Sequence, residues 1–191
     1  MNDRDRQTLG RTAHAHVAEW YRKRHPDRWL IDDTAIRFGG ERFSLLTSVN
    51  VLDHRLCDPY LQIVKLVLQT LEGAAFPLEP PQSAASRRPD LADFRTREVW
   101  EVKPMSQGKQ KALRQLSAFL ALLRQADREY AALSRNSARY RSNLIDASEI
   151  WHPGRRLEVP SARVSAPVPG VLSFSSPQPG VILWEHEATK P

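Results

Sequence analysis

The 191-residue chain has one cysteine, Cys57. An internal disulfide is excluded, and so is a cysteine-rich zinc site, because such a centre needs several thiolates or imidazoles at close spacing. The six histidines are scattered, without a zinc-like cluster. The eight glycines form no phosphate-cradling loop, and no internal repeat is visible. No uninterrupted apolar run approaches the roughly 20 residues that span a bilayer. The opening residues Asp3, Arg4, Asp5 and Arg6 have no apolar core behind them. The expectation is a soluble protein with no secretory leader and no membrane partner, cytoplasmic in the cell that makes it. Delivery to a target cell by a machine that reads no cleavable signal would leave no trace in the sequence.

What the chain does contain is enough apolar residue, 41%, for one good core and a small appendage. The expected division is a core over residues 1–150 and a Pro-rich extension over 151–191, packed on it as a β-hairpin. From His152 onward there are seven prolines in forty residues, with Val171–Phe174 and Val181–Trp184 as short strand candidates. The net charge of +6 is concentrated. Between Arg87 and Arg141 lie thirteen Lys and Arg against six Asp and Glu, while the rest of the chain has fifteen against sixteen. A local basic excess raises the concentration of a polyanion and gives salt-sensitive binding by counterion release. A solvated helix face is the plain alternative.

Inside that basic stretch, Arg88-Pro89-Asp90 is followed by Trp100-Glu101-Val102-Lys103. If Thr96 lies at or beside the centre of a two-residue turn, Asp90 pairs with Glu101 or with Lys103. Either register puts the three charged side chains on one face of a hairpin, with Val99, while Leu91, Trp100 and Val102 fall on the other. Phosphodiester hydrolysis needs such a group, because attack by water adds charge at oxygens already negative. Two acids, Asp90 and Glu101, with the backbone carbonyl of Val102, suit Mg²⁺ or Mn²⁺, hard cations that keep waters for substrate and nucleophile. Lys103 can orient the attacking water or neutralise the developing charge. An acid-x-Lys triplet arises about once by accident in a chain of this composition, and charged strand residues are commonly a solvated face. Here the triplet lies in an apolar strand, with a Pro-Asp pair before it and room for a turn between.

At these residues the chain resembles the PD-(D/E)XK nuclease superfamily, the restriction-endonuclease-like fold. Pro89-Asp90 is similar to its first motif and Glu101-Val102-Lys103 to its second. Pro104 continues the likeness, and Gln115-Leu116-Ser117-Ala118-Phe119 resembles the Gln-x-x-x-Tyr helix of the RecB-like branch, with Phe119 in place of tyrosine. More narrowly, Arg88 to Leu123 resembles the nuclease domains of bacterial polymorphic toxins. The resemblance implies an α/β fold, a central mixed sheet flanked by helices, and cleavage of DNA to 5′-phosphate and 3′-hydroxyl ends. It also implies a supporting role for Gln115 and an antibacterial toxin or effector setting with a cognate immunity protein. Glu19 is a candidate for the upstream acid many members add. His14 is a candidate accessory group, with a packed or solvent-facing histidine as the plainer reading. Arg88, Lys109 and Lys111 are the candidate contacts to nucleic acid. Two rival readings keep the fold without chemistry, a silent nucleic-acid-binding module and a protein-interaction domain.

The remaining elements follow from periodicity. Gln7 to Arg24 reads as an amphipathic helix through Leu9, Ala13, Val17 and Trp20, with His16 beside them. Trp29–Phe38 and Arg42–Val51 read as a hairpin around Gly39-Gly40, with Asp32 and Asp33 as rival accessory acids. A helix capped by Asp58, with Pro59 first, buries Leu61, Val64, Leu68 and Leu71 and ends at Gly73. Ala74–Arg88 reads as an extended connection. Ser106 caps a helix to about Arg128 that faces Leu113, Leu116, Leu120 and Leu123 to the core, and Glu129–Arg141 forms another.

Overall fold

The computed structural model describes residues 2–32, 35–38, 41–44, 60, 61, 63, 64, 67, 89–136, 150–165 and 167–189. Helix α1 spans Asp3–Arg24 and starts one turn earlier than the apolar stripe alone requires, because the Asn2 side chain accepts the Asp5 N–H at 2.8 Å. Asp3 and Asp5 in the first turn and Arg22, Lys23 and Arg24 in the last complement the helix dipole. Its buried row is Leu9, Ala13, Val17 and Tyr21, an unbroken i, i+4 series. Tyr21 therefore takes the core place expected of Trp20, which is only partly buried.

The first long arm of the expected hairpin is itself folded in two. β1 (Trp29–Asp32) pairs antiparallel with β2 (Ala35–Phe38), and β2 pairs antiparallel with β3 (Glu41–Ser44). The β-rich segment is divided between Asp32 and Ala35, where apolar content alone suggested continuity. β4 (Leu91–Asp93) and β5 (Glu98–Pro104) form the second hairpin, in the register Leu91 opposite Trp100 and Asp93 opposite Glu98. The tip is tied by Asp93, whose Oδ1 accepts the Arg95 N–H at 2.9 Å. Arg97 closes it at φ 56°.

A short 3₁₀ turn over Met105–Gln107 leads into α2, Gly108–Asn136, a single helix of 29 residues. It runs through the division expected near Arg128, since no proline or glycine interrupts 109–136. The strands β6 (His152–Pro153), β7 (Ala162–Val164), β8 (Gly170–Gln178) and β9 (Val181–Ala188) complete a nine-stranded curled, mixed sheet. Its order is β3-β2-β1-β4-β5-β9-β8-β7, with β6 also beside β5. β8 and β9 form the expected C-terminal hairpin, and β9 lies inside the sheet, parallel to β5 with Glu101 opposite Val181.

Both faces of the sheet are buried at β4, along most of β5 and in the first half of β9, and the molecule is mixed α/β with two described long helices. Alternation along each strand sorts the side chains. Leu91, Trp100, Val102, Ile182 and Trp184 pack under α1. Ala92, Val99, Val181 and Leu183 pack under α2, with the helical residues Tyr60, Leu61, Ile63, Val64 and Val67 from the segment expected to be a core helix. Leu68, Leu71 and the connection 74–88 lie outside the described residues. No described helix is long and apolar enough to cross a membrane.

Candidate active site

The site begins with a proline. Arg97 and Val99 direct their carbonyls, and Glu101 its N–H, to the side of β5 away from β4, so Val102 directs its own N–H and C=O toward the β4 side. In the observed register, position 89 falls opposite Val102. Pro89 has no N–H to offer, and the ladder ends there. Side chains complete what the backbone cannot. The Val102 N–H donates to Asp90 Oδ2 at 2.8 Å, and the Val102 carbonyl faces His14 Nε2 at 3.0 Å. The other ring nitrogen of His14, Nδ1, lies 3.2 Å from Asp90 Oδ1. Both ring nitrogens of His14 thus face oxygen atoms of the site.

By the same register Asp90 stands opposite Glu101, one of the two pairings expected from spacing. The two acids are 6% and 1% exposed, so they are charges removed from water side by side. Lys103 joins them: its ammonium lies 3.3 Å from Asp90 Oδ2 and is ion-paired with Glu101 Oε1. Burial, and then the Asp90 charge, push the Glu101 carboxyl well above the usual carboxylate range, against the opposing pull of Lys103. Burial alone would lower the Lys103 ammonium, but Asp90 and Glu101 outweigh it and hold it above its ordinary value. Glu101 Oε2 is buried and has no hydrogen-bond partner.

The other expected residues fall in different places. Glu19 is exposed on α1 and ion-paired to Lys23 at 2.8 Å, which holds its carboxyl below the usual range through the hydrogen bond and the charge. Position 19 points to solvent, while position 14 reaches the site. His14 is half-buried and reaches Asp90 and the Val102 carbonyl from α1. Gln115 is half-buried on α2 with a buried Oε1 that finds no partner, and no described hydrogen bond links it to the three charged residues. Lys109 is exposed and Lys111 half-buried on the first turns of α2. Arg88 and Asp33 lie outside the described residues, and Asp32 ends β1 opposite Leu91.

No protein-family model, curated protein or solved structure matches this chain. The function rests on the chain's own residues. Among the described residues no three His, Cys, Asp or Glu side chains close into a ready-made metal cluster. The donor set that is present suits a hard cation in its chemistry. Two carboxylates adjoin, a carbonyl is released from the ladder by Pro89, and a buried carboxylate oxygen lacks a donor. His14 contacts two of those three groups.

Proposed function

We propose that the protein is a divalent-metal-dependent nuclease of restriction-endonuclease-like fold that hydrolyses DNA phosphodiester bonds. The observation that carries this reading is the buried pair Asp90 and Glu101 with Lys103 between them and Glu101 Oε2 unpartnered. Two adjacent buried carboxylates that serve only as structure are costly, and a hydrophobic pair of similar volume would stabilise the strand better. A site that has to hold Mg²⁺ or Mn²⁺ accounts for them. Asp90, Glu101 and the Val102 carbonyl would hold the ion, with His14 joining through a ring nitrogen. When bound, such an ion supplies Lewis-acid polarisation and lowers the pKa of its water.

The chain's own groups do the rest. The Val102 N–H fixes the rotamer of Asp90, so that its Oδ1 is aimed at the His14 side. Lys103 stays charged in its buried position and can stabilise negative charge growing on a phosphoryl oxygen or orient a water beside it. Lys109 and Lys111, one turn or less into α2, lie just after the strand that bears Lys103 and would meet backbone phosphates. An antibacterial effector role with an immunity partner covering the basic surface is the biological setting we infer from the motif resemblance.

The test is incubation of the purified protein with supercoiled plasmid and with single-stranded RNA, in Mg²⁺, Mn²⁺ or EDTA. Parent protein is expected to nick or degrade the plasmid only with metal. Asp90→Ala and Lys103→Ala should each lose about a hundredfold or more. Undiminished cutting by both folded variants would place the activity elsewhere, and salt-dependent binding without cutting would make the domain a silent binder.

A further inference from the structure

On the edge of β5 away from β4, the neighbouring strand changes beside the candidate site. β6 ends with Pro153 opposite Val99, and β9 begins with Val181 opposite Glu101. The interval is one residue, Trp100, and two glycines close it. The Gly154 N–H donates to the Val99 carbonyl at 2.9 Å, the Gly180 N–H donates to the Gly154 carbonyl, and the Gly180 carbonyl accepts the Glu101 N–H at 2.9 Å. We propose that Gly154 and Gly180 are positioning residues of the acid site, a backbone clamp that sets where Glu101 meets Asp90 and Lys103.

Neither position has room for a side chain. A Cβ on Gly154 would enter the Trp100 indole, whose own N–H is held by the Arg155 carbonyl at 2.8 Å. A Cβ on Gly180 would press on Leu116 of α2, on Pro153 and on the Val99 carbonyl, and Gly180 stands at φ +73°, where an L side chain adds strain. The clamp is therefore seated on α2 and β6 as well as on β5. Displacing the Gly180 carbonyl displaces the Glu101 amide. The carboxylate three bonds beyond the Glu101 Cα is 99% buried and ion-paired, so it has little freedom to compensate. Sites of this kind tolerate about half an ångström. The role given to the glycines rests on the nuclease reading.

The test compares Gly180→Ala with Gly108→Ala. Gly108 has almost the same φ, +74°, with nothing within 4 Å of an added Cβ, so it reports the strain of an alanine at positive φ without the clamp. Three quantities are measured: amide hydrogen exchange of Glu101 by NMR, Mn²⁺ binding by electron paramagnetic resonance, and plasmid cleavage. In Gly180→Ala the Glu101 amide should exchange about tenfold faster or more. Its Mn²⁺ affinity should fall about tenfold, with cleavage falling in parallel and recovering in part at raised Mn²⁺. Gly108→Ala should stay within about threefold of the parent on all three. If Gly180→Ala does not fold, the Leu116→Ala/Gly180→Ala pair removes its closest obstruction and takes its place. Faster exchange at Glu101 with unchanged Mn²⁺ affinity and cleavage would overturn the proposal. A parent protein that neither binds Mn²⁺ nor cuts would overturn the nuclease reading, and the site role with it, whatever the exchange shows.

Discussion

Single residues divide the β4–β5 hairpin into a braced end and an end whose polar partners are incomplete. At the braced end Asp93, fully buried, is satisfied on every side: Tyr21 Oη donates to it at 2.7 Å, Arg28 at 2.6 Å and the Arg95 N–H at 2.9 Å. At the other end Asp90 and Glu101 share a lysine and keep an oxygen without a donor. The same residue types yield inert structure or a candidate site according to whether their partners are complete. His25 packs on the ring of Tyr21 at 4.5 Å, and burial, then the Arg28 guanidinium, hold its imidazole below the ordinary range. The folded state thus takes up this proton less readily than the unfolded chain. His25 contributes stability that is whole above its unfolded value, about 6.5, and that is lost as pH falls through the folded value. NMR titration should give His25 a midpoint below that of a free histidine. The urea-stability difference between parent and His25→Gln should shrink between about pH 7.5 and pH 5.5.

Elements meet at a second buried network, on the α2 side of the sheet. Arg97, from the hairpin tip, donates to Asp127 on α2 at 2.6 Å and to the Tyr60 hydroxyl at 2.9 Å, and the Trp151 indole N–H donates to the same hydroxyl at 2.8 Å. Four separate segments are thereby pinned at one guanidinium, whose side chain is 3% exposed. Asp127→Ala leaves that cation buried without a counter-ion, and the expected loss is about 3 kcal/mol, read as a lower urea midpoint at unchanged slope. Asp127→Asn should lose less. At this scale the sequence was only partly legible. The hairpin was readable because its register is set by a short turn and by alternation between Leu91 and Lys103, both local. The position of His14 was not, because it depends on where α1 crosses β5, and the helical period of Leu9, Ala13 and Val17 says which face is buried but not over what. Pro89 was visible as a motif letter. Its physical work, ending the ladder so that Val102 turns to Asp90 and His14, needed the register. The roles of Gly154 and Gly180 carry no local mark, since their partners on β5 lie more than 50 residues away in the chain.

At the scale of the whole molecule, charge and topology remain. The basic excess between Arg87 and Arg141 follows the strand of Lys103 into α2, so affinity for DNA in EDTA should fall linearly with log salt. Each phosphate neutralised contributes about −0.9 to the slope. Filter binding or fluorescence anisotropy from about 50 to 200 mM salt measures it, and a flat response would remove nucleic acid as a partner. Topology was the least legible property. Nothing local in Val181–Ala188 says that it enters the sheet beside β5 instead of lying on its surface, because parallel pairing between distant segments leaves no periodic mark. That insertion has an effect on biosynthesis. The ribosome makes Glu101 and Lys103 well before the hairpin that clasps them, so a nascent chain paused between β5 and β9 carries those two side chains without the strand that flanks them.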